Sequence, residues 1–69
     1  MNKALLMSQV VKNNDTQATV AEAMGLSASR LNAKINEREG AEFTQAEIQF
    51  FIDRYRLSPE EVSAIFFCP

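Results

Sequence analysis

Histidine and tryptophan are both missing from this 69-residue chain. Without imidazole there is no histidine general base, no histidine metal ligand and no middle member of a Ser or Cys triad, which removes most hydrolase schemes. Cysteine occurs once, at Cys68, so neither an intramolecular disulfide nor a Cys-based zinc cluster can form. We read a reduced, cytoplasmic protein with Cys68 as a small apolar tail residue. Glycine and proline occur only twice each, and there is no repeat, low-complexity stretch or linker. The longest apolar run, Ala64 to Cys68, falls far short of the roughly 18 residues of a membrane span. The first residues also lack the apolar core of a signal peptide. Strand signals are absent, as are metal-binding and phosphate-binding motifs, so no cofactor and no small-molecule substrate is expected. Adjacent carboxylates such as Glu60 and Glu61 point about 100° apart on a helix, and as first-turn residues they complement the helix dipole more simply than they form an acid–base pair. The expectation is that this is not an enzyme.

What is present is a globular composition, 46% hydrophobic and 23% charged, sized for one domain over residues 1–69. A domain so small buries only about 60% of the surface its unfolded chain exposes, so association with a partner could add stability. The net charge of −2 and pI near 4.9 argue against nucleic-acid binding by bulk electrostatics alone. Its distribution is uneven. Residues 1–40 hold five basic side chains (Lys3, Lys12, Arg30, Lys34, Arg38) and four acidic ones, whereas residues 41–69 hold two (Arg54, Arg56) against five, leaving the halves at +1 and −3.

Five short helices account for the pattern. In the first, Lys3 to Lys12, Leu6 pairs with Val10 and Met7 with Val11 at i,i+4, and Asn13-Asn14-Asp15 breaks it. Thr16 caps a second helix, Gln17 to Met24, with Val20, Ala21 and Met24 on one face and Gly25 at the left-handed C′ position. Ser27 caps a third, Ala28 to Ile35, so that only Gly25 and Leu26 separate the two, a helix-turn-helix spacing. After a loop, Asn36 to Phe43, Thr44 and Glu47 form a capping box. The helix it opens carries Ile48, Phe51, Ile52 and Tyr55 at i, i+3, i+4, i+7. Ser58-Pro59-Glu60-Glu61 opens a last helix with Val62, Ile65 and Phe66 on one face. The fold class is therefore all-α, a compact five-helix bundle.

On a helical wheel of about 100° per residue starting from Arg30, Leu31, Ile35 and Ala28 point to about 100°, 140° and 160°, while Ser29 and Ala33 lie near about −100° and −60°. Ser29, Arg30 and Ala33 therefore face outward, with Asn32 and Lys34 flanking them. Small residues permit close approach, the polar side chains can hydrogen-bond bases, and two cations are at hand, as a major-groove helix requires. The same face could equally be a solvated helix surface.

The stretch from Thr16 to Asn36 resembles the helix-turn-helix of the Cro/cI repressor family. The points of resemblance are the capped Gln opening, small Ala21 at the helix crossing, Gly25 in the turn, apolar Leu26, Leu31 and Ile35 inside, and Asn36 at the end. The ending, with Phe-Thr-Gln-Ala-Glu-Ile and Leu-Ser-Pro-Glu-Glu-Val, is similar to small Cro-type or modulator-of-repression proteins of temperate phages of Gram-positive hosts. The resemblance implies a lambda-repressor-like domain in which Gln17 and Asn36 touch phosphates. With Ser27 at the helix start and Arg38 just beyond its end, the candidate DNA contacts are Gln17, Ser27, Ser29, Arg30, Asn32, Ala33, Lys34, Asn36 and Arg38. Ala28 and Ala33 stand where many members carry longer polar or basic side chains, and Glu37 and Glu39 bracket Arg38.

Phe50, about 200° from Ile48, and Phe67, about 140° from Val62, lie off the main apolar faces. Each is either an anchor for a dimer or other partner, or is covered by a second core layer. Two functions follow. One is a transcriptional regulator of a phage genetic switch, a homodimer that docks helix three in the major groove of double-stranded DNA. The other keeps the fold but acts by binding the cognate phage repressor, with little DNA binding of its own.

Overall fold

Every helix opens on a polar side chain that can satisfy an amide left free in its first turn. In the computed structural model, which describes residues 1–67, the helices are α1 (Lys3–Lys12), α2 (Gln17–Met24), α3 (Ala28–Ile35), α4 (Gln45–Tyr55) and α5 (Pro59–Phe66). A 3₁₀ turn, Arg38–Gly40, lies within the loop expected between α3 and α4. The caps Thr16, Ser27, Thr44 and Ser58 accept hydrogen bonds from the N3 amides of their helices, and Asn2 does the same for α1. Thr44 with Glu47, and Ser58 with Glu61, complete reciprocal capping boxes. Among the described residues there is no strand. Cys68 lies outside the described residues.

Three helices end by one device. Asn14, Gly25 and Arg56 adopt left-handed backbone, with φ of 60°, 73° and 52°. In each case the next residue's amide reaches back over the last turn, Asp15 to Val10, Leu26 to Ala21 and Leu57 to Ile52, at 2.9, 2.9 and 3.1 Å. Gly25 and Asn14 suit this conformation, whereas Arg56 adopts it against its own sterics.

The core is built from Leu6, Val10, Val20, Ala21, Leu31, Ile35, Phe51, Tyr55, Leu57 and Ile65. Phe51 sits at the centre of the aromatic residues, with Phe43, Phe50, Tyr55 and Phe66 rings 5.3 to 5.9 Å away. The apolar face of α4 thus centres on Phe51 and Tyr55, leaving Ile48 and Ile52 half-buried at its edges. Of the two alternatives for Phe50, the covered one is found. It lies about 100° from Phe51 on the helix, its ring meets Phe51 edge-on, and Arg54 stacks over it at 5.6 Å. Val11 departs in the other direction. It is 70% exposed, because the inward face of α1 centres on Leu6 and Val10.

Two charged contacts fasten α4 to the rest. Asp15, between α1 and α2, accepts hydrogen bonds from Arg54 Nε (2.8 Å), Arg54 Nη2 (3.0 Å) and the Tyr55 hydroxyl (2.7 Å). These bonds, Arg54 first and Tyr55 second, outweigh partial burial and hold the Asp15 carboxyl down to about 2. Burial and the neighbouring carboxylate push the Tyr55 phenol above its ordinary range. The second contact joins Lys34 of α3 to Glu47 of α4, at 2.6 and 2.9 Å. Burial works to raise the Glu47 carboxyl, but the bonds from Lys34 and Thr44 prevail and lower it.

Candidate nucleic-acid interface

Gly25 takes up the left-handed turn and Ser27 caps a new helix, so that only Gly25 and Leu26 stand between α2 and the cap of α3. Ala21, only 3% exposed, lies with Val20 on the buried face of α2. Leu31 and Ile35 fix the rotation of α3 by entering the core. That rotation leaves Ser29 and Arg30 exposed and Asn32 and Ala33 half-buried. Ala28, expected on the inner side, is exposed at the first position of the helix.

A shallow cavity of about 360 Å³ runs along this side, lined by Ser27, Ser29, Arg30, Ala33, Lys34, Ala41 and Glu42. The structure therefore brings together five of the nine candidate DNA contacts. Ser27 is exposed, and its hydroxyl caps the Arg30 amide at 3.1 Å. Arg30 and Arg38 are exposed, and neither forms an ion pair among the described residues. Their cations remain available to a ligand.

Lys34 requires correction. Expected to flank the outward face as a free cation, it is 7% exposed and committed to Glu47. It lies about 60° from Leu31 on the wheel, close enough to the inner face for its stem to be buried while its ammonium reaches α4. The remaining candidates sit at the margins. The Gln17 amide is half-buried, with its nitrogen 3.9 Å from Met7 Sδ. Asn36 donates to the Asn32 carbonyl at 2.9 Å and accepts from Lys3 Nζ at 2.6 Å, an arrangement that brings Lys3 beside the end of α3.

Of the two candidate anchors, Phe67 is 66% exposed and Phe50 is packed on the core. Phe67 stands at the rim of a second cavity, about 300 Å³, whose apolar lining includes Phe43, Ile48 and Phe66. Sequence reasoning missed Glu42, an isolated acid in a loop with no pattern to mark it. It also missed Lys34–Glu47, because Glu47 already has a sufficient local role in its capping box and the second partner lies on another helix.

No family model, curated protein or solved structure matches this chain. Among the described residues no helix is long and apolar enough to cross a membrane, and no group of three or more His, Cys, Asp or Glu is placed to hold a metal ion.

Proposed function

We propose that the chain is a DNA-binding transcriptional regulator of the phage-switch type, acting in the bacterial cytoplasm as a homodimer and docking α3 in the major groove. The observation that carries this reading is the outward side of α3. Ser29 and Arg30 are exposed beside a two-residue turn, and small Ala33 lines the same cavity. A hydroxyl and a guanidinium exposed at the start of a helix are suited to base-edge and phosphate contacts, and Ala33 permits close approach. The cap side chain Ser27 and the free cation Arg38 flank this face and would set its register on the phosphate backbone.

The test is selection of bound duplexes from a random library at about 50 and 200 mM salt. The reading predicts enrichment of a two-fold motif, affinity that falls steeply with salt, and loss of enrichment in Ser29→Glu and Arg30→Glu. Enrichment unchanged by both substitutions would remove α3 as the reading helix.

A second reading, a modulator that binds the cognate phage repressor, is favoured by two observations. Lys34 is withdrawn from the α3 face by Glu47, which reduces the charge available for phosphates, and Phe67 is left exposed at a cavity rim. A folded chain that enriches no motif at the lower salt, and whose partner binding is lost in Phe67→Ala, would decide for this alternative.

A further inference from the structure

Glu42 lies in the irregular segment between the 3₁₀ turn and α4, and it lines both the neighbouring cavity beside Phe67 and the α3 cavity. It is exposed and in no ion pair among the described residues. Two cations share the cavity with it, Arg30 and Lys34. Lys34 is neutralised by Glu47 through two hydrogen bonds, so the uncompensated charges of the cavity are one guanidinium and one carboxylate. They cancel. A phosphate entering this cavity would meet the attraction of Arg30 offset by Glu42, so that the free cation of the face is Arg38, outside the cavity.

We propose that Glu42 is an electrostatic brake on DNA docking at α3, offsetting Arg30 and setting the affinity of this face below what α3 alone would give. The inference rests on the DNA-docking reading and names a residue that tunes it. Arg30 and Glu42 line one cavity, and exposed charges act on a phosphate seated there within about a Debye length, about 10 Å at 0.1 M salt. The carboxylate therefore acts on any phosphate seated against the serines with only partial screening. A unit charge at about 9 Å in water changes binding by roughly twofold for each phosphate it faces, a small but readable share of the affinity of a chain with few free cations.

The test compares the full chain with Glu42→Gln, Glu42→Lys and Glu60→Gln. Glu60 is a control, since it is also exposed but lines a different groove, with Leu5 and Ser8 of α1. Each protein is titrated against the library-selected duplex and an unrelated duplex at about 50 and 200 mM salt. The expected result is a roughly twofold gain for Glu42→Gln on both duplexes at the lower salt, shrinking at the higher, with Glu60→Gln close to the parent. Glu42→Lys should gain more and steepen the logarithmic salt dependence by about one unit. Equal gains from Glu42→Gln and Glu60→Gln would overturn the proposal, because net charge rather than position would be responsible. So would binding by the parent with no gain in Glu42→Gln. A gain confined to one sequence would overturn it by making Glu42 a base reader. If neither the parent nor any Glu42 variant binds either duplex, the DNA-docking reading itself fails and the brake falls with it.

Discussion

Along α4, Arg54 and Tyr55 hold Asp15 through three hydrogen bonds, and Glu47 holds Lys34 through two. On the outward side of α3, a few residues away, Arg30 and Glu42 share a cavity without pairing, and Arg38 stands exposed beyond it. The difference separates charges that build the fold from charges left for something outside it. Where a carboxylate is largely withdrawn from water, as Asp15 is at 11% exposure, an unmade partner would leave it poorly solvated, so folding completes the pair. Where side chains stay in water, pairing contributes little to stability, and their retention as free ions is compatible with a role in binding.

The comparison can be broken most directly at Asp15. Asp15→Ala should cost about 2 kcal/mol in chemical denaturation, since it leaves the buried Tyr55 hydroxyl without its acceptor, whereas Arg30→Ala should stay within about 0.5 kcal/mol. Equal costs would abolish the distinction between the two regions. Lys34→Ala should follow, at about 2 kcal/mol, because it removes both a packed stem and the partner of Glu47. Acid sharpens the same contrast. The folded Asp15 carboxyl lies near 2 against an ordinary 3.8, so its contribution is complete above the ordinary value and lost as pH falls through the folded one. Denaturation midpoints followed from pH 5 to 2 should fall in the parent and more shallowly in Asp15→Ala. The smallest effect is a gain. Arg56→Gly should raise stability by about 0.5–1 kcal/mol, seen as a melting temperature several degrees higher, by relieving a left-handed arginine at the end of α4.

The helices were legible because their signals are local. Thr16, Ser27, Thr44 and Ser58 mark four starts, and Gly25 marks the turn on which the candidate site depends. The wheel also placed Ser29 and Arg30 outside, since Leu31 and Ile35 leave α3 one choice of inward face. What escaped depends on distant contacts. A long cation at the edge of an apolar face can stretch to water or to a neighbouring helix, and only the position of Glu47 on α4 decides this for Lys34. Phe50 was left between two alternatives because a large ring on a helix flank can reach either the core or a partner, and it reaches the core. Arg56 escaped because its left-handed backbone has no glycine or asparagine to announce it.

The chain contains a single tyrosine and no tryptophan, and that tyrosine is held against Asp15. Its raised phenol makes Tyr55 an intrinsic optical reporter of whether α4 is docked. The neutral phenol is favoured by the native state, so Tyr55 adds stability below its ordinary value of 10.0 and loses it as alkaline pH rises through the elevated native one. In an alkaline titration the ultraviolet signal of tyrosinate should therefore appear late in the folded protein and at the ordinary pH in denaturant, giving a label-free measure of folding.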